Sequence, residues 1–254
     1  MDQGKRALHR KKEEENKLVL SYMTIRNLIG VFGMLLPVIL ILFTHRMPGE
    51  RCVQPSISDY YYTSSGDILV ALLCVLGVFL FTSNGYGGFF EKFLYVLAAI
   101  CGMGVAFSPT TTKYPPPLVS IHELNFHVPK ILGFERHLIF AALFFVALSI
   151  ISLKYFPRTN VKKDLDLKRK RTQKEKRNII FRIAGWTMLA CIFVLLLYFL
   201  IPGFKMIMGS FPLIFALETV ALEAFGISWI TKGETLWPDG EHYLVSWYKK
   251  TILK

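Results

Sequence analysis

The chain predicts an all-α, polytopic membrane helix bundle with six transmembrane helices and both termini cytoplasmic, and three observations carry that expectation. Six stretches, 28–44, 67–83, 92–108, 137–156, 179–201 and 211–231, are apolar and close to the ~17–25 residues that ~30 Å of hydrocarbon demands. Hydrophobic residues make up 53% and aromatic residues 14% of the 254, with a mean hydropathy of +0.41, more apolar than a soluble domain of this length. Lys and Arg collect on alternate sides of those stretches. With the N-terminus inside, the cytoplasmic segments and adjoining helix ends hold about 24 of the 30 Lys and Arg, the bias of the positive-inside rule.

Residues 1–27 read as a basic cytoplasmic segment. Their charged stretch is long and mixed, and no small-residue cleavage site follows 28–44, so the first helix is expected to be retained. The net charge of +12 would suggest nucleic acid in a soluble protein. Here it is first explained by contact with anionic lipid at the cytoplasmic face.

The first outside loop, 45–66, is dense in hydroxyls and carboxylates: Ser56, Ser58, Asp59, Tyr60, Tyr61, Tyr62, Thr63, Ser64 and Ser65, with Asp67 opening the next helix. So polar a segment between membrane helices is a candidate binding site at the mouth of the bundle. Ser-Ser-Gly-Asp before an apolar run is also a helix-start signal with Asp67 as cap, and three tyrosines in a row also suit an interfacial aromatic belt. Helix two ends at Gly85-Tyr86-Gly87-Gly88, read as a tight turn into helix three rather than a phosphate loop.

The second outside loop, 109–136, carries His122, Glu123 and His127, and helix four opens on Glu135, Arg136 and His137. Imidazoles and carboxylates on one side of a membrane suit zinc, so His122, His127 and His137 form a candidate metal set and zinc the candidate cofactor. Solvent-facing or hydrogen-bonded histidines fit the same spacing. His137 stands out because an ionisable residue at the start of a membrane helix needs a partner or a task.

The inner segment 157–178 is strongly cationic between 162 and 177. It reads as a lipid-facing topogenic loop, and the lack of interleaved aromatics leaves nucleic acid or nucleotide the weaker partner. Arg182, near the inner end of helix five, is a candidate partner for a membrane acid. The last helix carries two such acids, Glu218 and Glu223, about 140° apart around an ideal helix. An acid in hydrocarbon must be neutralised, paired or hydrated, which makes both functional candidates. Residues 232–254 form a cytoplasmic tail. Four cysteines, three of them inside expected helices, exclude a disulfide framework.

Three short motifs carry a resemblance. Ser56-Ile57-Ser58-Asp59-Tyr60-Tyr61 before helix two, His137 with Ala141, Ala142, Phe144 and Phe145 in helix four, and Phe225-Gly226, Ser228-Trp229 and Lys232-Gly233 closing helix six resemble a family of small bacterial multi-pass proteins. That likeness implies an inner-membrane protein and transfers no chemistry. A fainter likeness is to the alkaline ceramidase and adiponectin-receptor superfamily, whose helices hold zinc with three histidines beside a Ser and an Asp. This chain departs from it in lacking HxxxH and in having six rather than seven expected spans.

Three functions follow as expectations. The first is a metal-dependent hydrolase of a lipid or amide, with His122, His127 and His137 on the metal, Asp59 or Asp67 as base and Ser58 polarising a carbonyl. The second is an oligomeric channel or transporter with Glu218 or Glu223 on the path, a basic sensing loop, and small-residue surfaces at Gly102-Met103-Gly104 and Ala184-Gly185 for close helix approach. A membrane scaffold subunit is the third.

Overall fold

In hydrocarbon, backbone N–H and C=O groups find no water and must pair within their own segment, so apolar runs of this length become helices. The computed structural model describes residues 3–44, 53–83, 85, 88–108, 110, 130–131, 134–158, 167–201, 203 and 211–233. These form α1 (Gln3–Thr44), a 3-10 turn (Ser58–Tyr62), α2 (Gly66–Thr82) and α3 (Phe89–Ala106). A two-residue antiparallel pair follows, β1 (Lys130–Ile131) with β2 (Phe134–Glu135). Then come α4 (Arg136–Ile150), extended by a π-helical turn (Ile151–Tyr155), α5 (Leu167–Leu200) and α6 (Leu213–Lys232).

Among the described residues, five stretches are long and apolar enough to cross a membrane: Met23–Thr44, Phe89–Ala106, Arg136–Tyr155, Lys174–Leu200 and Leu213–Lys232. The helix at the second expected span is apolar but has 17 residues. At 1.5 Å per residue it is about 25 Å long, less than the ~30 Å of hydrocarbon. Six expected spans thus become five full-length helices and a shorter sixth.

Each helix packs on its predecessor, and α6 closes the ring by packing on α1. The α1–α6 contact is a glycine crossing. A Cβ on Gly30 would lie 2.8 Å from the Gly226 carbonyl oxygen, and one on Gly226 would lie 2.6 Å from that of Gly30, so the two backbones touch where side chains would hold them apart. Gly102 and Gly104 of α3 lie against Phe144 and Phe140 of α4, and Gly185 of α5 lies against Leu153. The small-residue surfaces expected to bring helices together are therefore used inside one chain.

The two ends of the bundle differ in chemistry. Asn27 Nδ2 donates to the Gly233 carbonyl at 3.4 Å and Lys232 Nζ to the Phe156 carbonyl at 2.9 Å, so the start of the apolar part of α1 and the end of α6 share one end, here the terminal end. Trp229 packs there between Phe156 and Phe225, each ring centroid 4.6 Å away, and Phe181 stands 5.3 Å beyond Phe156. All four rings are buried. Gly85 turns the chain from α2 to α3 with φ +55°, a conformation that glycine adopts without cost.

The basic inner segment departs from expectation. Residues 167–178, read as loop, are the first turns of α5, because Lys, Arg, Gln and Glu are good helix formers and continue the membrane helix into water. Likewise α1 takes in most of the basic N-terminal segment. Residues 159–166 and the tail after 233 lie outside the described residues. Among the described residues, Cys74, Cys101 and Cys191 are free thiols.

Candidate functional site: a buried serine–histidine pair

At the opposite end, the loop end, the segment before α2 folds back over the mouth of the ring. Phe215 N–H donates to the Pro55 carbonyl at 3.0 Å, Ile57 N–H donates to Glu218 Oε2 at 2.6 Å, and the Tyr60 ring lies 6.1 Å from that of Phe215. Residues 55–60 are thereby fixed to the first turns of α6. Ser56 Oγ accepts the Asp59 N–H at 3.0 Å and the Ile57 carbonyl accepts the Tyr60 N–H at 3.2 Å, which closes the 3-10 turn and directs Ser58 inward. A hydroxyl contact between Thr44 and Ser65 at 2.7 Å, with Ser65 also donating to the Leu40 carbonyl, ties the end of α1 to the start of α2.

Ser58 and His137 meet beneath this turn. Their Oγ and Nε2 atoms are 2.6 Å apart, both side chains are buried, and His137 Nδ1 lies 2.7 Å from the Ser108 carbonyl at the end of α3. A carbonyl only accepts, so Nδ1 carries the proton, Nε2 of the neutral ring is the acceptor, and the Ser58 hydroxyl donates to it. That is the relation of a nucleophile to its general base, with a backbone carbonyl as the group that orients the ring.

The pair opens on a cavity of about 50 Å³, large enough for roughly three to five waters. Its polar lining comes from Ser58, His137, Tyr61 and Glu218, and its apolar lining includes Leu36, Leu73, Phe144 and Leu222. Counted along the helices, those apolar residues lie about 9–14 Å below the loop end. The cavity is therefore a narrow apolar well with its reactive groups at the rim.

Two acids stand close to the pair in the chain, Asp59 directly after Ser58 and Glu135 two residues before His137. Burial pushes the Asp59 carboxyl above its ordinary value, opposed by hydrogen bonds from Ser56 and Thr110. Burial likewise raises the Tyr62 hydroxyl, with the charges of Tyr61, Asp59 and Glu135 adding to it. That hydroxyl donates to the Thr110 carbonyl.

The structure gathers Ser58, Asp59, His137 and Glu218 in one place and separates others. Asp67 is exposed in the first turn of α2 and does not line the cavity, and Ser65 rather than Asp67 occupies the cap position. Tyr60 is fully buried against Phe215 rather than in an interfacial belt, because its ring fills the contact between the turn and α6. Glu223 does not line the cavity. Arg182 is exposed beside Phe181 at the terminal end, while the Glu218 carboxyl is held at the loop end, so they do not pair.

His122, Glu123 and His127 lie outside the described residues. Among the described residues no group of three or more His, Cys, Asp or Glu is placed to hold a metal ion. Both ring nitrogens of His137 are engaged, so a zinc ion would have to take Nε2 from Ser58 or Nδ1 from Ser108. The arrangement suits His137 as a base rather than as a ligand.

Sequence reasoning missed Ser108, whose part is played by its carbonyl and leaves no mark in residue type. It also missed Thr110 as a donor to Asp59 at 3.4 Å, while Tyr61, named in the first outside loop, lines the cavity. Fold and site together define a multi-pass helical membrane protein with a buried Ser–His pair at one end of its bundle. Compared with protein-family models, curated proteins and solved structures, the chain has no match.

Proposed function

We propose that the protein is a membrane-embedded serine hydrolase that cleaves an acyl ester or amide of a lipid at the outer face of a bacterial inner membrane. The observation that carries this reading is the 2.6 Å contact from Ser58 Oγ to His137 Nε2, with Nδ1 on the Ser108 carbonyl. The Lys and Arg bias supports reading the loop end as the outer one and both termini as cytoplasmic.

In the proposed reaction the Ser58 hydroxyl proton passes to Nε2 as the Oγ–carbonyl carbon bond forms. Collapse of the tetrahedral species breaks the bond to the leaving oxygen or nitrogen, which takes the proton from Nε2. Water then repeats the sequence, releasing the free acid and restoring Ser58. Asp59 and Glu135 favour the transient imidazolium by charge, the Ser108 carbonyl keeps the ring oriented, and the apolar well takes the first carbons of the acyl chain. Glu218, through the Ile57 N–H, is a positioning residue for the neighbouring Ser58.

A channel is the weaker reading. The buried rings of Phe156, Phe181, Phe225 and Trp229 fill the terminal half of the ring, which favours a blind pocket over a path. The test is reaction of the full chain in detergent micelles with a fluorophosphonate probe, the modified residue being located by mass spectrometry. An adduct on Ser58 that is lost in His137→Gln is expected. A folded protein with no adduct on Ser58, or one whose labelling ignores His137→Gln, overturns the hydrolase.

A further inference from the structure

The well beneath Ser58 is closed at its deep end. Leu36 of α1, Leu73 of α2, Phe144 of α4 and Leu222 of α6 line it there, and all four are buried. Beneath them the Phe144 ring lies 6.4 Å from that of Phe225, which stands 4.6 Å from Trp229, so aromatic rings occupy the way to the terminal end. Helices α2, α4 and α6 all start at the loop end. A helical Cα–Cβ bond tilts towards the helix N-terminus, so Leu73, Phe144 and Leu222 lean up towards the mouth and make the well shallower than its backbone levels.

The wall carries least side chain where α3 meets α4, at Gly102 and Ala141, which both line the cavity. A Cβ on Gly102 would lie 3.1 Å from the Phe144 ring, so that ring has little slack on the α3 side and the floor is firm. The cavity of about 50 Å³ has room for roughly three to five waters. A methylene fills about the space of a water, ~30 Å³, so the well takes about four acyl carbons.

We propose that the site takes short acyl groups, about four carbons long and no longer than about six, with the rest of the substrate left at the mouth, and that Ala141, Phe144 and Leu222 set this limit. This rests on the hydrolase reading for the word substrate, but the capacity of the well is measurable without turnover. Such a limit spares the long-chain phospholipids that surround the protein, because their acyl chains outgrow the well.

The experiment is hydrolysis of p-nitrophenyl acetate, butyrate, hexanoate, octanoate and decanoate by the full chain in micelles. Each ester is held at the same mole fraction in the detergent, with Ser58→Ala as background. Detergent tails are as apolar as the well, so carbons that fit gain little, and the signal is the fall beyond the limit. Turnover is expected to change little from acetate to butyrate and to fall about tenfold or more by octanoate, as overpacking by surplus methylenes demands. Ala141→Leu adds an isopropyl group to the wall and should bring the fall down to butyrate. Leu222→Ala removes one from the floor and should carry the fall beyond octanoate. Ratios between esters within each variant cancel differences in folded fraction.

Octanoate or decanoate cleaved as fast as butyrate, a fall already complete at butyrate in wild type, or a fall that neither variant moves overturns the limit and leaves the hydrolase standing. If no ester is cleaved above background, fluorophosphonate labelling of Ser58 decides the hydrolase. The well is then decided separately, by thermal unfolding with butanamide and with decanamide at equal mole fraction. A Tm higher with butanamide than with decanamide, the gap closing in Ala141→Leu, upholds the short well. No gap, or the same gap in the variant, overturns it.

Discussion

The two halves of this bundle are built from the same helices by different means. At the loop end, hydroxyls, a carboxylate and an imidazole are joined by directional hydrogen bonds around a small cavity. At the terminal end, buried aromatic rings and a glycine crossing leave little space, with Lys232 placed 5.7 Å over the Phe156 ring. Packing holds the second half, and the first keeps unpacked volume beside a reactive pair. Chemistry and stability should therefore respond to different residues, since distant sites act almost independently.

The largest effects should separate the halves cleanly. Ser58→Ala should abolish probe labelling, and His137→Gln should slow it by about 10²–10⁴, the usual contribution of a positioned base. Neither should lower Tm by more than the loss of one buried hydrogen bond, about 1–3 kcal/mol. Trp229→Ala should do the reverse. Emptying a fully packed aromatic site costs about 3–5 kcal/mol, read by unfolding in micelles, while the protein that remains folded labels at the wild-type rate. A Trp229→Ala protein of normal stability, or one that is folded but fails to label, would break the division between the halves.

Gly226→Ala probes the same half at smaller scale. The added Cβ would meet the Met34 side chain and the Gly30 carbonyl, and the backbone oxygen has less freedom to yield. Overpacking of this type costs about 1–3 kcal/mol. Gly203→Ala, where nothing lies within 4 Å, is the matched control and should be neutral. Equal stability of the two variants would show that α1 and α6 do not cross at glycine.

Much of the bundle was legible because hydrocarbon imposes length and composition on any crossing segment. Polar residues within the apolar runs were legible for the same reason. His137 and Glu218 are costly there, and both were singled out before they were seen at one cavity. What the sequence could not show is who meets whom. The Ser58–His137 contact spans 79 positions, and the third member, Ser108, acts through a carbonyl that every residue carries. His137 therefore read as a ligand, because imidazoles and carboxylates in nearby loops are the visible signature of metal. The basic run was misread as loop for a related reason: charge says where a segment stops being buried, not where its helix stops.

The smallest expected effect sharpens the comparison by acting on the loop end alone. Burial raises the Asp59 carboxyl above its ordinary value, so the folded protein holds that proton more tightly than the unfolded chain. Stability from this group is therefore fully present below the unfolded value of about 3.9 and is lost as pH rises through the folded one. Asp59→Asn keeps an oxygen for the bond from Thr110 while removing the charge, so its Tm relative to wild type should rise as the pH rises above about 4. A variant whose relative Tm stays flat over that range, or falls, would show that the rim carboxyl is solvated and that the loop-end half is not the dry site its hydrogen bonds describe.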